Sequence, residues 1–330
     1  MHSVNPTSTG AVLKKFGMEK CYPPTDIDLG DFPCPSANSE EIRDALEALI
    51  PVNGGIPLIR VGSAFDGGYL LPDDFQDIEA CFSPGTNNFK DFEDQLVREH
   101  GIKSFMCDYS SDIAKLKTPI ISGMQFFDKK WLDVEQSPFS LDINEWVAGN
   151  ASPGSDLILQ MDIEGAEYRN LIHASDETMF RFRMIVLELH DLNLLSNATF
   201  LYRVFKPALE KISKNFVCVH LHPNNCRRDF NFGVDIVVPQ VVEVTFLRKD
   251  RIKAGKNAKK AAPIELPHRL DTSNALQLPP LDAKGVFLKN AEPIKSEINS
   301  LKLMNQYLLF MNSLHHRELM ALKAKMASNH

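Results

Sequence analysis

The segment DLILQMDIEGAEYRNLI, residues 156–172, runs from an apolar stretch straight into three carboxylates, Asp162, Glu164 and Glu167. Carboxylates are costly to bury unless they are paired, bound to a ligand or turned to a wet cleft. Glu167 suits the first turn of a helix, where the dipole favours negative charge. Asp162 and Glu164 fall before that turn, and two apart on an extended segment they point to one side. Such a pair can raise the basicity of an imidazole, hold a cation or grip hydroxyl groups. Imidazoles are at hand: MIVLEL is followed by His190 and Asp191, and VCVHLH ends at His222 and leads to Asn224. His190 and His222 are the candidate bases, with Asp162 or Asp191 as orienting partner. Asp162, Glu164 and Asp191, with the two histidines, also offer ligands for Mg or Mn, which would acidify a bound hydroxyl. His220 lies inside its apolar run and is expected to be a packed strand residue.

These residues need elements to bring them together. From residue 78 the chain alternates strand-like and helix-like segments: IEACFS, then KDFEDQLVREHG; IKSFMCDY; GMQFF, then SLDINEWVAGN; DLILQMDI, then AEYRNLIHA; MIVLELHDL, then ATFLYRVFKPALEKISKN. Alternation of this kind predicts a mostly parallel sheet with helices on both faces. FVCVHLH and VVEVTFLR follow with no clear helix between them, so the last strand is expected to insert antiparallel. Seven strands ending this way point to the Rossmann-like sheet of class I methyltransferases. In such a sheet the strand ends SPGTNN, Asp108, Asp162, His190 and His222 share one edge, where ligands bind.

Before this core, residues 1–37 lack periodicity and are expected to have no fixed structure. NSEEIRDALEALI reads as a helix capped by Asn38 or Ser39. RVGSAFDGGYLL reads as two short strands joined by a sharp turn at Gly67 and Gly68. A domain is thus expected over residues 38–285, and an amphipathic helix over 286–330. That helix would pack on its own domain or on a second copy of the chain, as a homodimer.

Two strand ends read as cofactor contacts. Gly85, between a strand and a helix, would let a ligand approach the backbone. Asp108 ends the next strand and is placed to accept hydrogen bonds from ribose hydroxyls. LILQMDIEGAEYRNL resembles the signature of FkbM-type methyltransferases, which use S-adenosylmethionine (SAM). RVGSAFDGGYLL, CFSPGTNNFKDFE and MIVLELHDL are similar to a subgroup related to the methyltransferase-like proteins. The resemblance covers roughly residues 58–282. It implies that Ser83, Gly85 and Thr86 lie along the methionine part of SAM, Asp108 on the ribose, and Phe127 and Asp128 near the adenine. In place of the family's acidic residue this chain has Ser83, and Glu93 is the candidate to supply the carboxylate. Asp66, Tyr69, Asp191 and Asn224 are the expected acceptor contacts. The activity implied is O-methylation of a hydroxyl on a sugar, glycan or glycosylated metabolite. Two other classes stand beside it: a non-catalytic binding or scaffold protein, and a nicotinamide-dependent dehydrogenase, which the missing GxGxxG disfavours.

Composition narrows the field. A formal net charge of -7 argues against general nucleic-acid binding. No apolar run approaches a membrane span, the opening residues lack a signal-peptide core, and Cys81, Cys107 and Cys218 sit in apolar runs; a cytoplasmic location is the expectation. RKDRIKAGKNAKK, residues 248–260, holds seven Lys/Arg against one Asp. It is either a solvated loop or a lip that attracts anionic substrates.

Overall fold

Strands that read as unbroken apolar runs are those buried on both faces, and they build the centre of the molecule. The structure is a computed structural model that describes residues 8–18, 35–233, 236–253 and 264–282. A hairpin comes first, β1 (Leu58–Gly62) and β2 (Gly68–Pro72), antiparallel and turning at Gly67, whose φ is +75°. Then follow β3 (Ile78–Pro84), β4 (Lys103–Cys107), β5 (Gln125–Asp128), a short pair β6 (Trp131–Asp133) and β7 (Ser140–Asp142), β8 (Asp156–Met161) and β9 (Phe182–Leu189). The chain continues with β10 (Phe216–Pro223), a small pair β11 (Asp229–Asn231) and β12 (Val237–Pro239), and β13 (Val242–Arg248). Seven strands form the main sheet in the order β10-β13-β9-β8-β3-β4-β5. β13 runs antiparallel to both its neighbours, and the other pairs are parallel. The fold is therefore the Rossmann-like α/β sheet expected from the strand rhythm, with its last strand inserted antiparallel.

The eight α-helices among the described residues are α1 (Thr9–Lys15), α2 (Ser39–Leu46), α3 (Asp91–His100), α4 (Ile143–Asn150), α5 (Glu167–His173), α6 (Asp176–Arg181), α7 (Ala198–Phe200) and α8 (Lys206–Ser213). Asn38 caps α2 in a reciprocal capping box with Glu41. Between α7 and α8, Leu201–Phe205 form a wider π turn, because Pro207 has no N–H to continue the ladder. One sheet face carries the larger core, with α1, α5 and α8 against it; the other carries the hairpin and α3.

Two expectations need correction here. Residues 8–18 have fixed structure: Ser8 caps α1, and Val12, Phe16 and Met18 are buried. Val12 and Phe16 are four apart, so one helical face carries both into the core, where Phe16 meets the rings of Tyr168 and Phe200. The helix expected over SLDINEWVAGN begins only at Ile143, since Asp142 caps it and Ser140–Asp142 pair with β6. The amphipathic helix expected over 286–330 lies outside the described residues. No described helix is long and apolar enough to cross a membrane.

Candidate functional site

Register builds the site. His222 of β10 stands opposite Glu243 of β13, and Glu243 opposite Glu188 of β9. Met161 of β8 is the partner of Leu187, so Asp162 comes level with Glu188, and the two carboxyls hydrogen-bond. Neighbours in register point to the same face, so four ionisable side chains form a row across four strands at one edge of the sheet. Burial pushes Glu243 up to about 7. It pushes Asp162 up to about 6, with the His190 charge opposing. It drives Glu188 well above the carboxylate range, with Asp162 and Glu243 adding to it. Asp162 and Glu188 are therefore a pair sharing a proton at neutral pH.

Beside the row stands His190, held by the helix that follows β8. Glu167, the first residue of α5, is fully buried; its carboxylate accepts from the N–H groups of Ile163 and Gly165, each at 2.8 Å. The same carboxylate lies 3.1 Å from Nδ1 of His190, which also faces the Glu188 carbonyl at 3.0 Å. Nε2 points the other way, 3.8 Å from Asp162 and 3.7 Å from Glu164, beyond hydrogen-bond reach. Burial alone would lower the pKa of this imidazole, but the Glu167 carboxylate, then Glu188 and Asp162, outweigh it and push it up to about 10. Carboxylates on both sides thus favour positive charge at this ring.

A pocket of about 250 Å³ opens where the hairpin and α3 roof this edge. Its lining includes Asp66 and Tyr69 from the hairpin, Gly85 and Thr86 after β3, Glu93 from α3, and Gln160 and Asp162 of β8. With Asp91 the lining holds four carboxyl groups and, in Lys117, one cation. Glu93 is buried, and burial pushes it up to about 7 against the hydrogen bond from Ser83. Ser83 faces two oxygens, of Glu93 and of Gln160 at 2.6 Å, but has one proton to give. A protonated Glu93 donating to Ser83, which donates to Gln160, satisfies all three. Thr86 Oγ1 is buried and has no hydrogen-bond partner among the described residues.

The expected cofactor contacts divide. Ser83, Gly85, Thr86 and Glu93 come together at the pocket; Asp108, Phe127 and Asp128 are not among its lining residues. Asp108 is turned inward: its carboxylate accepts from the Asn87 N–H, from Ser110 N–H and Oγ, and from Ser111 N–H and Oγ. Five donors on one carboxylate tie Asp108 to its own turn and to the loop after β3. Asp128 is exposed, and its carbonyl accepts from the Asp108 N–H. Gly85 serves the chain as well. At φ +91°, a Cβ there would stand 1.7 Å from the Asp162 carbonyl oxygen, so the close approach is made by β8.

The acceptor-side residues divide too. Asp66 and Tyr69 line the pocket. Asp191, at φ +61°, pairs with Lys15 of α1 at 2.9 Å and is not turned to Asp162. Asn224 is buried and donates to Glu188 at 2.5 Å, so it orients a carboxylate of the row. Glu164 does not continue the strand: its φ is +55°, and its side chain is 78% exposed. His222 is 3.6 Å from Asp271, which comes from the segment 264–282; His220 is buried, as expected, 2.9 Å from the same carboxylate. The basic segment cannot serve this site in its described part, 248–253. β13 is antiparallel, so its end lies at the opposite edge, where Arg248 pairs with Asp156 and Arg251 with Asp74. Residues 254–260 lie outside the described residues.

Three carboxyls of the site were not expected: Glu188, Glu243 and, in its role on His190, Glu167. The first two carried a signal, since each is an acid inside an otherwise apolar strand, MIVLEL and VVEVTFL.

No protein-family model matches the chain, and no curated protein matches it. Solved structures do match. The crystal structure of MtNAS in complex with MTA and tNA is 12% identical, covering 53% of this chain and 55% of that one, with a TM-score of 0.27. Thermoplasma acidophilum 1320 is 14% identical, covering 52% and 79%, with a TM-score of 0.26. Human N-acetylserotonin methyltransferase in complex with SAM is 12% identical, covering 53% and 49%, with a TM-score of 0.25. The matched region spans about half the length of MtNAS. Likenesses this distant carry no argument about activity, and the fold stands on the strand order itself.

Proposed function

We propose that the protein is a SAM-dependent methyltransferase acting on a hydroxyl of a sugar, glycan or glycosylated metabolite. The observation that carries this reading is the pocket at the carboxyl edge of the sheet, where Thr86 Oγ1 is left without a partner among four carboxyl groups. A buried hydroxyl without a hydrogen bond is unfavourable and awaits a ligand's polar group. Asp66 and the partly ionised Asp162 give the lining negative charge for a ligand bearing a sulfonium and an ammonium group, and Thr86 Oγ1 a free polar group, which fits SAM at its methionine end. The ribose contact expected of Asp108 is not part of this reading.

When bound, SAM supplies an electrophilic methyl group on a positively charged sulfur. The chain's own task is to hold an acceptor hydroxyl in line and to take its proton. Asp162 is the carboxyl of the lining that ends a sheet strand beside Gly85, and we assign the proton to it. Tyr69 and Asp66 on the hairpin grip the acceptor from the other side. The close approach of Gly85 to the Asp162 carbonyl holds Asp162 by its backbone, which suits a group that must be positioned within a fraction of an ångström.

The test is calorimetric titration of SAM into the full chain and into Thr86→Val. One site is expected in the wild type, weakened roughly fivefold to tenfold in the variant, the worth of one hydrogen bond. Absence of SAM binding to the folded wild type overturns the reading.

A further inference from the structure

We infer that Asp162, Glu188 and His190 form a site for one divalent cation of the Mn or Mg class, beside the pocket. The three offer ligand atoms that all lie within 4.8 Å of one another. Ligands about 2.1 Å from a common ion stand at most about 4.2 Å apart, so closing by roughly half an ångström suffices. Two carboxylate oxygens and one imidazole are a donor set for a first-row divalent ion or magnesium.

Independent of the donor count, His190 is arranged as a ligand. Its side chain is 10% exposed, and its Nδ1 is engaged by the buried Glu167 carboxylate and the Glu188 carbonyl. This is the carboxylate–histidine pairing that fixes the ring and raises the donor strength of the opposite nitrogen in metal sites. That nitrogen, Nε2, has no hydrogen bond and faces Asp162. A second support orients Glu188: Asn224 Nδ2 donates to it at 2.5 Å, while Asn224 Oδ1 accepts from the Cys226 N–H at 2.8 Å. Both ligands are thus held from outside by groups that do not reach the site.

Electrostatics points the same way. The row sets three carboxyls, Asp162, Glu188 and Glu243, side by side with His222 at its far end. Gathering like groups in a poorly solvated place is unfavourable unless positive charge joins them; a divalent ion would displace the proton shared by Asp162 and Glu188 and the proton on His190 Nε2, leaving carboxylates and a neutral imidazole as its ligands. The set differs from the one expected from sequence, since Asp191 turns to Lys15 and Glu164 is exposed. The ion's use rests on the methyltransferase reading: next to the pocket it would polarise the acceptor hydroxyl. Its binding does not depend on that reading.

The full chain, stripped with chelator and dialysed, is titrated with Mn²⁺ by calorimetry and by electron paramagnetic resonance, without SAM or acceptor. One equivalent is expected to bind, at least tenfold more weakly in Glu188→Gln and His190→Ala, and unchanged in Glu177→Gln, an exposed carboxylate on α6 at the opposite edge of the sheet. Should the first two variants fail to fold, the unaltered chain decides: substoichiometric Mn²⁺ should broaden the imidazole proton resonances of His190 before those of His173 and His268. No saturable binding to the wild type, or broadening that spares His190, overturns the proposal. Mn²⁺ binding at His190 without SAM binding leaves the site standing and removes the methyltransferase reading. SAM binding without Mn²⁺ binding does the reverse.

Discussion

Replacing Glu93 by Gln should alter how stability depends on pH more than stability itself. The carboxyl is buried, and its pKa rises from an ordinary 4.5 to about 7 in the folded protein, with burial the main cause. Between those values the folded state keeps a proton that the unfolded chain has released. Stability from this group therefore falls as pH rises through the window, by about 1.4 kcal/mol per unit, and is flat on either side. The accumulated loss is on the order of 3 kcal/mol at about pH 8. Gln keeps a donor for Ser83 Oγ and cannot ionise, so the variant has no such slope. Glu243 and Asp162, also raised, contribute the same trend to both proteins and cancel in the difference. Urea unfolding followed by tryptophan fluorescence should show the variant within about 1 kcal/mol of wild type near about pH 4.5, and more stable by roughly 3 kcal/mol near about pH 8. A difference that does not change with pH would refute the protonated chain from Glu93 through Ser83 to Gln160.

Asp108→Ala should act on the fold: with the Asn87, Ser110 and Ser111 donors stranded, a loss of about 2–4 kcal/mol is expected, read as a fall in Tm of roughly 5 °C or more. An unchanged Tm with lost SAM affinity would assign Asp108 to the ribose instead. Gly85→Ala places a Cβ on the Asp162 carbonyl at a left-handed φ, and should cost roughly 2–6 kcal/mol in urea unfolding. Near-normal stability would show that the backbones at Gly85 and Asp162 do not approach so tightly.

The sheet was legible because its strands are apolar runs of strand length separated by helical periodicity, and no helix parts the last two. The site was half legible. That Asp162 and His190 meet follows from each ending a strand of one parallel sheet. That Glu188 and Glu243 stand between Asp162 and His222 depends on strand order and register, which no local pattern states. The inward turn of Asp108 has a local cause visible in its own neighbourhood: the two serines of DYSS let it close a turn on itself. Glu164 leaves the strand alternation, because the backbone has already turned left-handed before Gly165, yet its carboxylate still comes within 3.7 Å of His190 Nε2. The helix at residues 9–15 was missed among polar neighbours, although Val12 and Phe16 are spaced to share a face.

The place of β13 has a consequence for synthesis. It is the last strand of the sheet in the chain, yet it sits inside it, between β9 and β10. As the chain leaves the ribosome, β9 has β8 on one side and a bare edge on the other until residue 242 has emerged, and β10 has no neighbour in the sheet at all. Both are rows of unpaired backbone groups on apolar strands, the condition under which nascent chains pair with the wrong partner. Translation that stalls between residues 224 and 241 therefore leaves two sticky strands exposed and the carboxyl row one member short. The chain's vulnerability to a chaperone shortage should be concentrated in that interval.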